Sequence, residues 1–434
     1  MHPALYVHVP FCVRKCPYCA FFSVPLSHPA MGRSGLGGSA GAMAAPGEGQ
    51  ELDAAGLAGD GDRSPVEGYL KGLAAEAAAV AEAAAVTEAA AEAGDVDQRG
   101  RLWVSSLYVG GGTPTALGLG ELEHLLAVIA AHFSLECGAE RSIEANPGTL
   151  DAAQLSLLRR YGINRISLGA QSFDDTLLRR LGRIHSVRDI FNAVRLIREA
   201  GIDNFNLDLM FGLPGQGLAA WQETLALALG CEPAHISVYG LTVEAGTPFG
   251  RCYGERIPAA RGLPPLPDDD LQAEMYASAV DLLERAGYRR YETSNFARPG
   301  RECRHNLAYW RGQDYLGLGP GAVSCRQGVR RRNVEEIGDY AIRAVRRRPL
   351  YDQETEEVLT WRQRMAERIM LGLRLDAGVD LEAFAADFGV GVESVFGQVI
   401  ERYARDGILI VDGKSLRLHP YYTFVANAIL RDFV

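Results

Sequence analysis

The sequence contains no long uninterrupted apolar run. Its most apolar long stretch, residues 73–93, is interrupted by glutamates, whereas a membrane-spanning helix needs about 20 consecutive apolar residues. The N-terminus also lacks the basic and apolar segments of a secretory signal, because the alternating run Leu5–Val9 follows almost at once. We therefore expect a cytoplasmic protein that does not span a membrane.

Basic residues are fewer than acidic residues in this chain. The chain of 434 residues has 44 Lys and Arg against 54 Asp and Glu, which gives a formal net charge of -10. A general nucleic-acid binder normally carries a basic excess, so we expect no nucleic-acid partner, and any anionic ligand must meet a locally basic site. With 47% hydrophobic and 23% charged residues, the composition is that of a soluble globular protein long enough for two or three domains.

The eight cysteines do not have the spacing of a disulfide framework. Five of them are scattered and are interpreted as small buried apolar side chains or incidental thiols. The other three, Cys12, Cys16 and Cys19, form a compact C-x3-C-x2-C cluster, and Phe21 stands where one further cysteine could have followed. This cluster is the first sign of a functional site.

Low-complexity sequence follows the cysteine cluster. Residues 29–64 are rich in glycine and alanine without a sustained apolar period, which predicts a disordered surface insertion that folding does not need. The Ala- and Glu-rich segment 65–93 has strong helix propensity. Ser64 is its expected N-cap, and Pro65 its first helical residue.

Short apolar runs and amphipathic helices alternate up to residue 241. We predict six strands, at residues 5–9, 103–109, 142–144, 165–168, 204–210 and 235–241. The helices between them are predicted at residues 119–132, 151–161, 174–181, 187–200 and 219–229. This alternation is typical of βαβ units with a parallel sheet, so we predict an α/β fold.

The unusual residues of this segment fall at the predicted ends of strands. The cysteines follow strand one, "GGGTPT" follows strand two and "EANPG" ends strand three, while "GAQSF" and "DLMFGLPGQ" stand at strands four and five. Functional loops of parallel α/β folds lie at the carboxyl ends of the strands. We therefore expect these segments to form one shared site.

The pattern changes beyond residue 241. Residues 242–350 contain a proline-rich stretch, a predicted helix near 268–286 and the segment "ECRHNLAYWRGQDYLGLGPGAVS". Residues 351–434 are predicted as three helices and then a hairpin with the turn Asp412-Gly413, an order similar to that of a winged-helix domain. The predicted domains are thus a core at 1–241, an extension at 242–350 and a smaller C-terminal α+β, winged-helix-like domain at 351–434.

Three thiols on one short loop can converge on a metal centre. A structural zinc site normally has four ligands, and no fourth Cys or His stands at a suitable local spacing. A cubane iron–sulfur cluster with one iron left open suits three thiolates. Zinc with a distant His ligand and unconnected buried thiols stay open as alternatives.

The "GGGTPT" segment, residues 110–115, permits close approach of the backbone to a ligand. Its glycines are expected to expose N–H donors, and Thr113 and Pro114 to set the exit into the next helix. The segment is not a phosphate-binding P-loop, because the Gly-Lys-Ser/Thr ending is absent. An ordinary tight turn is the alternative.

Six motifs taken together carry a resemblance to a known family. In chain order, "YVHVPFCVRKCPYC", "YVGGGTPT", "IEANP", "RISLGAQSF", "LGRIH" and "NLDLMFGLPGQ" resemble the radical S-adenosylmethionine (radical SAM) enzymes of the oxygen-independent coproporphyrinogen III oxidase family. The resemblance covers nearly the whole chain except residues 29–64. It implies a partial (β/α)6 TIM-like barrel, the radical SAM core, followed by a family-specific C-terminal domain.

The resemblance also implies the ligands of the cofactors. Cys12, Cys16 and Cys19 would hold a [4Fe-4S] cluster whose open iron is chelated by the amino and carboxylate groups of S-adenosylmethionine. The residues implied to contact S-adenosylmethionine are Tyr6, Gly111, Gly112, Thr113, Glu144, Gln171, Arg183, Asp208 and Thr242. Their chemistry is suitable, because an arginine can neutralise a carboxylate and carboxylates can accept from an ammonium group or from ribose hydroxyls.

The chain departs from the oxidases in two features, and in both it resembles the HemW-type heme chaperones within this family. Phe21 replaces the last cysteine of the oxidases' C-x3-C-x2-C-x-C pattern, and only five residues precede Tyr6. Both count against coproporphyrinogen III oxidase activity. Residues 304–310, "RHNLAYW", also contain the H-N-x-x-Y-W pattern that is linked to heme binding in that subgroup.

The heme candidates implied by this motif are His305, Asn306, Tyr309 and Trp310. An imidazole can ligate heme iron, and the aromatic rings offer flat apolar surface to the macrocycle. The alternative is that these side chains only pack and hydrogen bond inside the protein.

The resemblance therefore implies a chaperone that binds heme and transfers it to membrane-associated or respiratory heme proteins, with an electron donor for the cluster. Radical oxidative decarboxylation of coproporphyrinogen III propionates is one alternative, and a non-radical metal-binding module is another. No catalytic residue is assigned, and a homodimer stays open.

An arginine-rich segment supplies local positive charge. It could face heme propionates, an anionic membrane surface in peripheral contact, or an acidic partner. A solvated helix face is the commoner explanation of such a run. Its eight arginines are Arg326, Arg330, Arg331, Arg332, Arg343, Arg346, Arg347 and Arg348.

Overall fold

The computed structural model describes residues 2–26, 64–86, 95–254 and 262–434. Of the predicted insertion 29–64, all but Ser64 lies outside the described residues. The predicted helix 65–93 is present over residues 65–86, and its remainder also lies outside the described residues. Ser64 caps this helix as predicted, because its Oγ accepts the N–H of Val66 at 3.3 Å.

Strands and helices alternate along the core of the chain. The strands are, in chain order, β1 (Ala4–Val9), β2 (Phe11–Cys12), β3 (Val24–Pro25), β4 (Leu102–Gly111), β5 (Phe133–Ala145), β6 (Arg165–Gln171), β7 (Phe205–Phe211), β8 (His235–Gly240), β9 (Arg289–Arg290), β10 (Asn295–Ala297), β11 (Tyr315–Leu318), β12 (Val323–Arg326), β13 (Val329–Arg332), β14 (Glu357–Val358), β15 (Val379–Asp380), β16 (Leu409–Val411) and β17 (Ser415–Leu418). The helices are α1 (Pro65–Val86), α2 (Leu119–His132), α3 (Ala152–Arg160), α4 (Asp175–Arg180), α5 (Val187–Glu199), α6 (Leu218–Gly230), α7 (Pro248–Tyr253), α8 (Asp269–Arg285), α9 (Arg304–Trp310), α10 (Ile337–Val345), α11 (Trp361–Gly372), α12 (Leu381–Phe388), α13 (Val392–Arg405) and α14 (Ala426–Leu430).

One large mixed sheet organises the molecule. Among the described residues its strand order is β14-β13-β12-β11-β1-β4-β5-β6-β7-β8-β10-β9. The central strands β1 and β4 to β8 are parallel and adjacent in chain order, so the predicted α/β fold with six parallel strands is confirmed. The residues beyond 241 extend both sides, since β11 pairs with β1 and β10 pairs with β8.

The third parallel strand is longer than its sequence indicated. β5 runs from Phe133 to Ala145, whereas only residues 142–144 were predicted as strand. Its first half pairs with β4 from Leu102 onward and shifts register after Val104. The exposed residues 136–138 interrupt the apolar pattern of the strand. The extent of β5 therefore depends more on cross-strand hydrogen bonds to β4 than on the alternation of apolar residues in its own sequence.

Side-chain caps fix the starts of several helices where the sequence predicted them. Asp151 Oδ1 accepts the N–H of Gln154 at 2.8 Å at the start of α3, and Ser186 and Asp189 form a capping box at α5. Such caps satisfy backbone donors that have no partner within the helix. The helices therefore start close to the predicted residues.

The core forms where α1 packs over the first strand. Leu5, Val7 and Val9 of β1 are fully buried, and Tyr69 of α1 donates its hydroxyl to the His8 carbonyl at 2.9 Å. Burial of each large apolar side chain contributes about 1.5–3 kcal/mol. Leu73 of α1 is fully buried in the same cluster, so α1 closes one face of the sheet beside β1.

The C-terminal segment has a separate apolar cluster. Phe384, Phe396 and Leu416 are among its buried members, and β15, β17 and β16 form a small antiparallel sheet beside α11 to α13. The predicted helices and hairpin are confirmed, and Asp412 Oδ1 accepts the N–H of Ser415 at 2.8 Å across the turn. No helix within the described ranges is long and apolar enough to cross a membrane.

Candidate cofactor site

The cysteine loop lies at the carboxyl end of β1. The N–H of Cys19 donates to the Cys16 carbonyl at 3.1 Å, a turn that folds the loop back on itself. Burial raises the pKa values of Cys12 and Cys19, and neighbouring thiolates raise both further. No group of three or more His, Cys, Asp or Glu side chains in the described part of the chain is arranged to hold a metal ion, so the thiols must turn to a common point to ligate one.

Polar side chains from two strand ends and from the loop after α4 connect two of these thiols. Thr113 Oγ1 donates to Cys12 Sγ at 3.6 Å and accepts from Asn146 Nδ2 at 2.7 Å. Arg183 donates to Asn146 Oδ1 and to Cys16 Sγ at 3.5 Å. We call these residues, Cys12, Thr113, Asn146, Arg183 and Cys16, the thiol network. Its donors suit thiolates, which accept hydrogen bonds when ionised.

Asn146 is a member of this network that the sequence analysis did not select. It lies in the "EANPG" segment, which was assigned to the site only through Glu144. The signal was present, because an amide at a strand end can serve both as donor and as acceptor. Its partners Thr113 and Arg183 are 33 and 37 residues away in sequence, so only the fold reveals the connection.

The glycines after β4 serve close packing within the protein. A Cβ on Gly112 would lie 2.4 Å from the Phe11 carbonyl oxygen, and Gly111 has a φ of +108°. The N–H of Gly112 donates to the Val9 carbonyl at 2.8 Å, and that of Gly111 donates to Glu144 Oε2 at 2.9 Å. Both N–H groups therefore have partners within the protein, because the strand end folds against the cysteine loop, and the contact of these glycines with a ligand stays a prediction.

Two carboxyl groups, on β5 and on β7, are close enough for the charge of one to act on the other. Glu144 on β5 accepts the Tyr108 hydroxyl at 2.9 Å, and Asp208 on β7 accepts the Ser167 hydroxyl at 3.0 Å. Burial, and then the charge on Asp208, raise the pKa of Glu144 to about 7. Burial also raises the pKa of Asp208. A cationic ligand would stabilise the ionised form of both groups.

A small cavity of about 170 Å³ is lined by side chains of the central strands, and Asp208 is one of them. We call it the inner cavity. Five residues selected from the sequence line it, namely Tyr6, Asp208, His305, Asn306 and Tyr309. Polar and aromatic side chains that the sequence analysis did not select complete its lining: Tyr108, Arg165, Ser167, Asn206, His235, Ser237, Tyr239, Asn295 and Cys303.

Seven of the nine residues selected for S-adenosylmethionine do not line the inner cavity, and Gln171 and Thr242 are two of them. Gln171 ends β6 at a register shift and has a φ of +66°, a conformation that few non-glycine residues adopt. Thr242 is exposed and follows the end of β8 by two residues. Neither side chain lines the inner cavity, and Thr242 has no structural connection to the thiol network.

A carboxylate from the sheet anchors helix α9. Glu140 of β5 accepts the N–H of Arg304 at 3.0 Å and that of His305 at 3.2 Å. These backbone groups have no partner within the helix, so Glu140 takes the role of a cap. The Cys303 thiol donates to the same carboxylate at 3.2 Å. This role could not be predicted from the sequence, because Glu140 and Arg304 are 164 residues apart.

The His305 imidazole is buried and hydrogen bonded at both nitrogens. Nδ1 lies 2.9 Å from Ser106 Oγ and Nε2 lies 3.3 Å from the Tyr309 hydroxyl. Its ring stacks on Tyr108, with ring centroids 5.3 Å apart. Burial lowers the pKa of His305 to about 3, so the imidazole is neutral at physiological pH.

Trp310 lies away from the inner cavity. Its indole forms part of a separate, larger cleft, and the Arg374 guanidinium lies over its ring at 5.8 Å. Asn306, in contrast, donates to the Tyr291 hydroxyl at 3.4 Å inside the protein. The motif residues are therefore divided between two sides of α9, and Tyr309 lines both spaces.

Most of the arginine-rich segment is neutralised by local ion pairs. Arg330, for example, contacts Glu357 at 2.7 Å and Glu367 at 2.8 Å. Arg331, Arg332, Arg343 and Arg347 also pair with carboxylates. Exposed ion pairs of this kind contribute little to stability, but they reduce the positive charge that the segment presents.

Comparison with known proteins places these features in a family. Residues 82–228 match the Radical SAM superfamily, and residues 359–420 match the HemN C-terminal domain. The second match begins just before α11 and ends after β17, so it corresponds to the C-terminal helices and hairpin.

Similarity to individual proteins extends over nearly the whole chain. A heme chaperone HemW of Bacillus subtilis is 32% identical over 99% of this chain and 98% of its own length. A heme chaperone HemW of Lactococcus lactis is 30% identical over 99% and 96%, and one of Escherichia coli is 36% identical over 74% and 69%.

A solved structure shares the fold. Coproporphyrinogen III oxidase (HemN) from Escherichia coli, described as a radical SAM enzyme, superimposes with a TM-score of 0.75 over 100% of this chain and 90% of its own. The two sequences are 22% identical, so this likeness concerns the α/β core and the C-terminal domain as a fold.

Proposed function

The chain belongs to the HemW heme chaperone family of radical SAM proteins, and from that premise we propose that it binds heme and transfers it to membrane-associated heme proteins. The observation that carries the proposal is the position of α9. His305 and Tyr309 of its heme-linked motif line the inner cavity together with Tyr6 and Asp208. Three of the four proposed heme residues and two of the nine proposed S-adenosylmethionine residues therefore line one space.

Membership of the radical SAM family implies a [4Fe-4S] cluster and S-adenosylmethionine. We assign the cluster to Cys12, Cys16 and Cys19, and the thiol network supports this fit because Thr113 and Arg183 already donate toward two of the thiols. When bound, the cluster and S-adenosylmethionine would supply one-electron and radical chemistry. The protein contributes the hydrogen-bond donors to the thiolates. It also contributes the sheet, whose strand ends position the cysteine loop.

The charges around the strand ends suit S-adenosylmethionine. Glu144 and Asp208, whose pKa values burial raises, would be stabilised as anions by the cationic groups of this molecule. Arg183 offers a guanidinium to its carboxylate. Tyr6, Gly111, Gly112 and Gln171 are further proposed contacts, and exposed Thr242 is the member of the set with the least support from its position.

His305 is the proposed iron ligand for heme. Its lowered pKa keeps the imidazole neutral, which is the form that coordinates metal. Coordination through Nε2 requires iron to replace the hydrogen bond between Nε2 and the Tyr309 hydroxyl. Asn306 and Tyr309 are the further proposed heme residues beside it in the inner cavity, and Trp310 offers a flat apolar surface on the outer side of α9.

Heme binding is tested by titrating hemin into the anaerobically reconstituted full chain, which should first contain about four iron and four sulfide. The wild type should give a Soret band that saturates. We expect His305→Ala to weaken binding about tenfold or more, because a ligand to iron is lost, while His124→Ala on the exposed surface of α2 should bind like wild type.

Decarboxylation is the competing outcome. Incubation with coproporphyrinogen III, S-adenosylmethionine and a reductant should leave the propionates intact. Carbon dioxide release together with equal hemin affinity of the wild type and His305→Ala would contradict the chaperone assignment. A preparation that takes up zinc but no cluster would contradict the radical SAM assignment.

A further inference from the structure

A second cavity opens between the extension and the C-terminal domain. Tyr309, Trp310 and Tyr315 line one wall, and Leu371 of α11 and Phe388 of α12 line the facing wall. Its volume is about 1250 Å³. We call this space the outer cleft.

The outer cleft is large enough for a ligand of the size of heme, and the inner cavity is not. Small-molecule pockets usually measure about 300–1,000 Å³, whereas the inner cavity measures about 170 Å³. A heme in the inner cavity would have to displace buried side chains. The outer cleft is already open to about 1250 Å³, so the macrocycle can enter it without unpacking the core.

The lining of the outer cleft combines aromatic surface with arginines and carboxylates, and some of the arginines have no ion pair among the described residues. The Nε1 atom of Trp310 is buried and has no hydrogen-bond partner among the described residues. Arg311 and Arg364 also line the cleft, and neither has a carboxylate partner in the part of the chain that the structure describes. A flat apolar molecule with carboxylates at one edge matches both features.

Resting on the proposed function, we infer that heme binds in the outer cleft, between α9 and the C-terminal domain. The macrocycle packs between Trp310 and Leu371, and the propionates lie toward Arg311 and Arg364. The C-terminal domain is then one wall of the heme site, and not only a packing element of the fold.

Tyr309 separates this site from His305. Its side chain lines both the outer cleft and the inner cavity, and its ring centroid lies 5.1 Å from that of His305. Displacement of this one side chain joins the two spaces. Heme in the outer cleft can therefore reach the His305 imidazole from the side of Tyr309.

The test is hemin titration of the reconstituted full chain with the cleft filled. Leu371→Trp places a larger side chain in the outer cleft, and we expect it to weaken hemin binding at least tenfold. Leu119→Trp is the matched control, because Leu119 is already exposed on α2. Both variants should keep the wild-type iron content and circular dichroism spectrum.

A charge reversal tests the same site without added volume. Arg364→Glu should weaken hemin binding several-fold, whereas Arg362→Glu on the exposed side of the same helix should not. If the wild type binds hemin and both cleft variants bind it equally well, the outer cleft is not the site, although the heme chaperone function stands. If the wild type itself binds no hemin, the proposed function fails first.

Discussion

Glu76 is a carboxylic acid held inside the protein by hydrogen bonds. It is 4% exposed, and its carboxylate accepts from the Tyr340 hydroxyl at 2.6 Å, the Gly319 N–H at 2.7 Å and Asn333 Nδ2 at 2.7 Å. Burial raises its pKa to about 7, although the hydrogen bonds act in the opposite direction. The folded protein therefore binds a proton here at a pH where the unfolded chain has released it.

This raised pKa predicts a pH-dependent stability. Because the folded state binds the proton more tightly, the stabilising contribution is present below about pH 4.5 and is lost as pH rises through about 7. Glu76→Gln should remove this loss, which is on the order of 3 kcal/mol at most. Urea unfolding at about pH 5 and about pH 8 measures it.

Glu123→Gln is the matched control for Glu76→Gln. Glu123 pairs with Arg160 on the surface, and such a pair contributes under about 1 kcal/mol. Its pH profile should follow the wild type. A Glu76→Gln profile that also follows the wild type would show that Glu76 does not titrate in this range.

The packing of the end of β4 against the cysteine loop requires a residue without a side chain at position 112. A Cβ on Gly112 would lie 2.4 Å from the Phe11 carbonyl oxygen and 2.8 Å from that of Val9. Both are backbone atoms, so the strand end would have to move away from the cysteine loop. The packing of this element therefore sets the distance between Thr113 and Cys12.

Gly112→Ala should displace this element and reduce loading of the cluster. We expect a loss of about 1–3 kcal/mol in unfolding free energy, as for other overpacked sites, and less iron per chain after reconstitution. Gly120→Ala on α2 is the control, because no atom lies within 4 Å of its Cβ. The control should be neutral or up to about 1 kcal/mol more stable, and equal iron content in both variants would contradict the prediction.

At the scale of the molecule, Arg290 connects the core to the C-terminal domain. Its side chain is 9% exposed and donates to Thr423 Oγ1 at 2.8 Å and to the Tyr276 hydroxyl at 3.2 Å. It also lies 3.3 Å from Asp376. Tyr276 further contacts Phe424, with ring centroids 5.6 Å apart. The two parts of the chain are therefore joined by a buried charge.

Arg290→Ala should loosen this junction. The hydrogen bonds of a charged group contribute about 1.5–3 kcal/mol, so we expect a lower unfolding temperature and faster proteolysis near residues 350–360. Arg285→Ala, whose side chain is 75% exposed beside Asp281, should change stability by less than about 1 kcal/mol. Equal proteolysis rates in both variants would contradict the role of Arg290.

Much of the fold could be predicted because its signals are local. The apolar runs of β1, β7 and β8 have bounds within one or two residues of the prediction, since each strand is short and stops at a proline or a glycine. β5 was underpredicted because its first half is specified by pairing with β4. The same contrast holds at the site, where motif residues were identified but Asn146 and Glu140 were not.

The sequence by itself determined the alternation of strands and helices, the three-cysteine loop and the family, because periodicity and motif spacing lie within short segments. The tertiary structure decided which side chains meet. Arg183 reaches Cys16 across 167 residues, and Ser106 reaches His305 across 199. It also divided the motif of α9 between the inner cavity and the outer cleft. The physical reason is that helix and strand preferences act between neighbours in sequence, whereas packing and hydrogen bonding act between whatever atoms the fold brings together.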